Sequence, residues 1–362
     1  MKVHCLQGRT ASGFVTFGGV WEKGEVSAAS FLLTTPDGKP LPLQSKPMAF
    51  WPDGSIKWSA HTTDAALMKE GAELLPTPKE QPDSGIQIIK GSDACTLDTG
   101  VLRLTVPLGE NLRCDFLAQD ISVSGRKAAH KVYPVFLLER RNETEDVLET
   151  RVQKFHGAIQ KAVLEEAGPL QATIAFYGEN TPGECCSMPF VIRLSVWKGS
   201  AEMHFVHTFL FDGAEQRDFL KGIGIRFETV LSDTAYTRHV QYLQEDKVFH
   251  ECPQNLDSRF PHLGPEVRQA QRNGEISAAN ASGDMKQAAQ DIPIWRQYHL
   301  VQGSDRHYAI FKATHTACCR IRAQEGARAP GVMALTGENG GVMAGIRDFW
   351  QKYPTGYEWK NL

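Results

Sequence analysis

The chain has 362 residues, of which 41% are hydrophobic and 22% charged, so it can bury the cores of about two or three domains and is not a disordered polymer. Its 39 basic and 42 acidic residues give a formal net charge of −3, and no basic run is present, which argues against nucleic-acid binding. No apolar run could cross a bilayer and residues 1–10 lack the apolar core of a secretory signal, so we expect a cytoplasmic protein without a membrane partner.

The first predicted elements are short strands joined by tight turns. Residues 13–20 are apolar and interrupted by glycine, as in a bent strand. The sequence WPDGSIKW predicts a hairpin flanked by Trp51 and Trp58, because proline sets φ at the turn and glycine accepts the positive φ that closes it. Residues 74–85 carry three prolines among charged residues and predict the linker between two domains.

Strand patterns resume at residue 86 and continue for most of the chain. They lie at 102–106, 121–123, 132–138, 172–177, 191–197, 203–211, 223–227, 240–243, 298–301, 308–312, 319–323 and 331–335. Strands this numerous, with few helical patterns between them, predict an all-β chain with a large antiparallel β-sandwich. Residues 266–290 differ, being polar and Ala-rich, and predict a long excursion with a helical turn or two.

Several familiar chemistries are missing from the sequence. There is no P-loop, GxSxG, HExxH or EF-hand pattern, and the eight cysteines show no zinc-like spacing. The sequence therefore implies no cofactor and no metal. Free thiols are the expected state of the cysteines in a reducing compartment.

A first candidate cluster combines Lys221 with Arg238, His239 and Glu251. Lysine and arginine can pair with a carboxylate, histidine can move a proton near neutral pH, and glutamate can accept one. A site for an acidic sugar needs these residue types. Ordinary surface ion pairing would use the same ones.

A second candidate cluster comprises Trp295, Arg306, His307 and Tyr308. Aromatic rings present apolar faces for the apolar faces of sugars, and arginine binds carboxylates through two parallel hydrogen bonds. The alternative for Trp295 is an ordinary place in the core.

The last residues are unusually aromatic. Ile346, Phe349 and Trp350 fall at i, i+3 and i+4, which is one face of a helical turn. We expect Phe349 and Trp350 to dock on the body of the protein and the residues beyond Pro354 to be exposed.

Five segments, taken in order, carry a family resemblance. They are VTFGGVWEKGEV, WPDGSIKW, LDTGVLRLTVP, RDFLKGIGIRF and GIRDFWQKYPTGYEW. Their order resembles that of the exo-acting rhamnogalacturonan lyase family and its uncharacterised bacterial relatives, and the resemblance covers nearly the whole chain.

The resemblance implies an N-terminal RIFT-type β-barrel over residues 1–85 and a central β-sandwich over 86–345. Residues 346–362 are similar to the strap that leads to a C-terminal α/α toroid. The toroid itself is absent from this sequence, so we expect it as a partner in the native protein and expect the isolated chain to be inactive.

The implied function is β-elimination on rhamnogalacturonan-type or other uronic-acid-containing glycans, with an acidic oligo- or polysaccharide as ligand. A cation would neutralise the carboxylate, for which the candidates are Lys221, Arg238 and Arg306. The base would be His239 or His307. Two alternatives stay open: a non-catalytic sugar-binding or scaffolding module, and a mutarotase-like epimerase that needs His239 and Glu251 in one cleft.

Overall fold

The computed structural model describes residues 1–4, 13–27, 30–77, 85–143, 148–233, 235–254, 294–315 and 319–362, together with Gln269 and Asn273. It divides into two compact units, Met1–Glu228 and Thr229–Leu362. The predicted excursion at 266–290 lies outside the described residues apart from Gln269 and Asn273.

Nearly all regular structure is strand. The strands that begin in the first unit are β1 Lys2–Val3, β2 Phe14–Val20, β3 Phe31–Thr34, β4 Pro40–Leu41, β5 Gln44–Phe50, β6 Ile56–Asp64, β7 Ala72–Pro76, β8 Gln87–Lys90, β9 Ala94–Asp98, β10 Leu102–Pro107, β11 Ala118–Val123, β12 Arg126–Glu143, β13 Leu148–His156, β14 Ala158–Ala167, β15 Gln171–Glu179, β16 Pro189–Trp197, β17 Met203–Phe209 and β18 Asp218–Thr229. The strands of the second unit are β19 His239–Leu243, β20 Val248–Glu251, β21 Gln297–Ser304, β22 His307–Ala313, β23 Ile321–Gly326, β24 Val332–Gly337, β25 Gly340–Gly345 and β26 Thr355–Lys360. Short 3₁₀ turns lie at Ala65–Met68, Ala235–Thr237 and Trp350–Lys352. The all-β prediction is confirmed.

The N-terminal barrel consists of two small sheets around one core. The sheets have the strand orders β1-β7-β3-β4 and β2-β6-β5. Alternate residues of these strands point inward, so Phe31, Leu33, Ile56 and Leu74 are buried together. The predicted linker begins too early, because Leu74 still belongs to β7, which pairs with β1 and β3.

The predicted hairpin at Trp51 is confirmed. Gly54 has φ +85°, and its N–H donates to the Trp51 carbonyl at 2.9 Å. The Asp53 carboxylate accepts hydrogen bonds from the Ser55 N–H at 3.0 Å and from its hydroxyl at 2.6 Å. The turn is therefore fixed by local chemistry, whereas the register of β5 and β6 shifts between Pro47 and Ala49 and again between Ala49 and Phe50.

Two larger sheets form the sandwich of the first unit. One has the order β13-β12-β11-β10-β9-β8, with β18 pairing to β12, and the other has the order β14-β15-β16-β17. Inward-facing residues such as Leu104, Phe176 and Leu194 are fully buried between them. The His207 ring packs edge-on to Phe190, and burial lowers the pKa of His207 to about 4.

The second unit packs sheet β20-β19-β24-β25 and sheet β23-β22-β21-β26 around one core. Phe349 is buried as predicted and stacks on Tyr357, while Trp350 is half-buried. The predicted exposure beyond Pro354 is wrong. Because β26 pairs with β21, it brings Tyr357 and Trp359 into the core.

Candidate functional site

Lys221 lies in the first unit, whereas the other predicted site residues lie in the second. Its ammonium is 3.0 Å from a carboxylate oxygen of the buried Glu139, and Arg141 binds the same carboxylate at 2.6 Å. The hydrogen bonds from Lys221 and Arg141 lower the pKa of the Glu139 carboxyl. Lys221 is therefore already paired within its own unit.

Arg238 precedes β19 and is held by its own loop. Its guanidinium donates to the Asp233 carboxylate at 3.2 Å and to the Asp233 and Leu231 carbonyls at 2.6 and 3.1 Å. Three short-range acceptors on a mostly buried side chain make this an anchor for the loop before β19.

His239 and Glu251 point to opposite faces of the sheet that contains β19 and β20. Glu251 pairs with Val240, whose side chain is in the core, so Glu251 shares the core face. His239 lies on the other face, where its Nδ1 is 2.8 Å from the Nε2 of His250. Burial, and then the neighbouring His250, lower the pKa of His239. The cleft that the epimerase alternative requires is not formed by this pair.

Glu251 and Trp295 meet at Lys312. The Lys312 ammonium is 2.5 Å from a Glu251 oxygen and 4.4 Å from the centre of the Trp295 ring. Glu251 comes from one sheet and Lys312 from the core face of the other, so the pair joins the two sheets. Both predicted residues are thus occupied by a mostly buried ion pair with a cation–π contact.

The opposite face of sheet β23-β22-β21-β26 gathers the polar residues. Direct register partners share a face, and His299 pairs with Phe311 and Glu358, while Ala309 pairs with Glu325. We call this surface the polar face and define it by His299, His307, Arg320, Arg322, Glu325 and Glu358.

One group on the polar face is built around Arg320. Its guanidinium is 2.6 Å from the Nδ1 of His299 and 3.1 Å from a Glu358 oxygen. Because arginine only donates, His299 Nδ1 must accept, and the neutral ring carries its proton on Nε2. Burial is the main cause that lowers the pKa of His299, with Arg320 contributing in the same direction. His299 is therefore a neutral hydrogen-bond donor through Nε2.

A second group joins His307 to Glu325. The His307 Nε2 is 3.2 Å from a Glu325 oxygen, and Arg322 donates to the same oxygen at 2.6 Å. These two contacts lower the pKa of the Glu325 carboxyl. A carboxylate only accepts, so Nε2 donates and the neutral His307 ring keeps a lone pair on Nδ1. This is the arrangement of an oriented general base.

Arg306 and Tyr308 flank His307 but differ in environment. Arg306 lies in the turn between β21 and β22, with 84% of its side chain exposed and Asp305 at 3.5 Å. Tyr308 is buried on the core face, where burial raises the pKa of its phenol. The predicted neighbours thus divide into an exposed cation, a base candidate and a core residue.

Sequence reasoning missed His299, Arg320 and Glu325. The available signal was period 2, because Arg320 and Arg322 alternate in the segment RIRAQE and His299 alternates with the core residues Tyr298 and Leu300. Glu325 breaks this alternation and joins the same face only through the register shift between β22 and β23. Which strands become neighbours was not readable from that pattern. Among the described residues, no group of three or more His, Cys, Asp or Glu side chains could hold a metal ion, and no helix is long and apolar enough to span a membrane.

The chain is therefore a modular β protein, in which a barrel is followed by β-sandwich sheets. One of these sheets carries a face of Arg, His and Glu side chains. Comparison with known families identifies the family of each part. Residues 1–75 match the PcRGLX-like N-terminal RIFT barrel domain, and residues 86–362 match the PcRGLX-like protein central beta sandwich domain. The chain belongs to this PcRGLX-like family, which is related to rhamnogalacturonan lyases.

A curated relative is more than twice as long as the matched segment. The chain is 30% identical over 367 residues to a protein of Bacillus subtilis (strain 168) described as "Uncharacterized protein YetA". The alignment covers 99% of this chain and 42% of that relative, so the chain spans less than half of the relative's length.

Proposed function

We propose that the chain is the β portion of a polysaccharide lyase-like protein that acts on rhamnogalacturonan-type or other uronic-acid-containing glycans by β-elimination. Family membership supports the class of substrate. The hydrogen bond between Glu325 and His307, beside the exposed cation Arg306, is the observation that carries the chemistry.

The proposed reaction uses these three side chains in turn. Arg306 pairs with the uronate carboxylate, which disperses the charge that develops when the α proton leaves. The lone pair on His307 Nδ1 takes that proton, and Glu325 stabilises the resulting imidazolium. The C–H electrons form the new C=C bond as the bond to the leaving oxygen breaks, and water protonates that oxygen.

We propose further that the rest of the site comes from an α/α toroid. Arg306 and His307 are 84% and 54% exposed, so water has free access to the reacting groups. A second domain covering this face would exclude that water and strengthen the charge interactions. The isolated chain is therefore expected to bind the substrate and to show little elimination.

The test measures binding and elimination separately. Elimination creates an unsaturated product that absorbs in the ultraviolet, and binding of oligogalacturonate can be followed by titration calorimetry. Arg306→Gln should weaken binding about tenfold, as expected for loss of a charge-assisted contact. Arg347→Gln is the matched control, because Arg347 is also exposed and also lies beside an aspartate, Asp348.

The results have distinct meanings. Equal binding by the two arginine variants and the parent would overturn the placement of the substrate at Arg306. Robust elimination by the isolated chain that survives His307→Gln would remove His307 as the base. Robust elimination that His307→Gln abolishes would keep the base and refute the need for a toroid.

A non-catalytic sugar-binding module is the second candidate. The observation that favours it is the same exposure, since catalytic sites are usually concave and enclosed. Binding that depends on Arg306, with no elimination even after a toroid from a longer family member is supplied, would support this candidate.

A further inference from the structure

The barrel carries an exposed apolar surface that no function described so far uses. In sheet β2-β6-β5, Trp58 pairs with Val20 on one side and Ala49 on the other. Val20 is 73% exposed and Trp58 is 51% exposed. We call Val20, Lys57 and Trp58 the barrel platform. An exposed cluster of this kind marks a binding surface.

The hairpin that joins β5 to β6 holds the platform in place. The Trp51 indole N–H donates to the Trp21 carbonyl at 3.1 Å, which fixes that ring. The ammonium of Lys57 lies 4.5 Å from the centre of the Trp51 ring and 5.2 Å from that of Trp58. A cation held between two indoles loses little side-chain entropy when a ligand arrives.

Beside Trp58 the sheet surface is flat because the side chains there are small, and we call this flat area the floor. The next row of register partners is Gly18, Ala60 and Lys46, so two of its three side chains are the smallest available. A Cβ placed on Gly18 would meet only the Ser59 carbonyl oxygen, at 4.0 Å. Because these side chains are small, the side of the Trp58 ring that faces this row of register partners stays accessible.

The charges beside this floor are positive. Lys46 and Lys57 border it, and no carboxylate of the described residues lies within ion-pair distance of either ammonium. The surface therefore combines an exposed indole, a flat floor and two cations, of which Lys46 also interacts electrostatically with the Glu165 carboxylate. A uronic-acid sugar is complementary to it, because its C–H face can stack on the indole while its carboxylate meets an ammonium.

We propose that the barrel platform is a second binding site for an acidic oligosaccharide, separate from the polar face and without a catalytic role. Trp58 provides the stacking surface, Lys57 and Lys46 receive carboxylates, and Gly18 keeps the floor open. The ligand class rests on the proposed function, whereas the site itself rests on the geometry of the barrel.

The experiment titrates the full chain with hexagalacturonate, and with maltohexaose as an uncharged counterpart. Calorimetry gives the affinity of every variant, and NMR follows the indole N–H resonance of Trp58 wherever that residue is present. Trp58→Ala should weaken hexagalacturonate binding about tenfold, and Gly18→Val should do the same by filling the floor. Lys57→Met should reduce the preference for hexagalacturonate over maltohexaose, because only Lys46 then remains to receive a carboxylate. Leu67→Ala, which removes another exposed apolar side chain of the barrel, is the matched control and should bind as the parent does.

Every outcome bears on the proposal. Unchanged affinity in both Trp58→Ala and Gly18→Val would overturn it, as would a Trp58 resonance that does not move on saturation. If Trp58→Ala instead abolishes self-association without changing sugar affinity, the platform is an interface between copies of the chain. His307→Gln should leave the Trp58 shift intact, so failure at the polar face is distinguishable from failure here.

Discussion

Replacing Gln44 by methionine tests how the barrel is fixed to the sandwich of the first unit. The Gln44 side-chain oxygen accepts from the backbone N–H groups of Leu170 and Gln171 at 2.9 and 2.8 Å. Its amide donates to the Glu166 carboxylate at 2.6 Å and to the Gln171 carbonyl at 3.1 Å. A Cβ on Gly168 would lie 2.2 Å from the Gln44 amide carbon, so the turn is built around this amide.

Methionine has a similar length and no hydrogen-bonding capacity. Gln44→Met therefore leaves the backbone N–H groups of Leu170 and Gln171 buried without an acceptor. Each unsatisfied buried donor costs about 1–3 kcal/mol, so the loss of both acceptor contacts should lower the free energy of unfolding by roughly 2–6 kcal/mol. At about 2–4 °C per kcal/mol for a unit of this size, Tm should fall by roughly 4–24 °C.

Scanning calorimetry of Gln44→Met beside Gln87→Met measures the effect. Gln87 is exposed on β8, so its replacement controls for the change of residue type. A Tm for Gln44→Met within 2 °C of the control would show that the amide bonds contribute nothing net, and the reasoning would fail.

Other predictions concern single side chains. Tyr242→Phe and Tyr298→Phe should leave Tm unchanged or raise it, because both hydroxyls are buried without a hydrogen-bond partner among the described residues. A loss of unfolding free energy above about 1 kcal/mol would contradict this and would show that the hydroxyl does form a hydrogen bond. Gly54→Val should lower the free energy of unfolding, measured in urea, by about 1–2 kcal/mol, because Gly54 has a positive φ. Gly224→Val is the control and should be tolerated, because the space around this strand position is open. Equal losses in the two variants would contradict the assigned turn conformation at Gly54. Burial lowers the pKa of His61 from 6.5 to about 4, so the unfolded chain binds a proton that the folded chain excludes, and stability should fall as pH falls from about 6.5 to about 4. His61→Gln should flatten that part of the stability–pH curve, and an unaltered curve would refute the assignment.

The sequence identified local features and left long-range pairing open. The hairpin at Trp51 was predictable because its turn residues determine the backbone conformation of the turn within four residues. The pairing of His307 with Glu325 was not, because it spans 18 residues and depends on a register shift between β22 and β23. The opposite faces of His239 and Glu251 likewise follow from period 2 only after the register of β19 and β20 is known.

The terminal strand β26 gives the sharpest contrast between pattern and structure. The helical spacing of Ile346, Phe349 and Trp350 predicted that the chain docks on the body of the protein only as far as Pro354. Residues 355–362 would then be dispensable for stability. Instead β26 forms the edge of a four-stranded sheet and pairs with β21 over six residues. Tyr357 and Trp359 are buried, and the Tyr357 hydroxyl donates to the Gly331 carbonyl at 2.8 Å.

Removing residues 355–362 should therefore destabilise the second unit strongly. Burial of two large side chains stabilises by about 2–3 kcal/mol each, which is a large share of the roughly 5–15 kcal/mol that holds a domain folded. The loss also exposes the backbone donors of β21, so hydrogen exchange at Tyr298 and Leu300 should accelerate together with a fall in Tm. If the truncated chain does not fold, the double variant Tyr357→Ala and Trp359→Ala reports the same loss with the backbone intact. Tyr353→Ala is the control, because this exposed aromatic of the same segment should affect neither measurement. Exchange rates in β21 that match the parent's in every variant would mean that β26 adds no stability to the sheet.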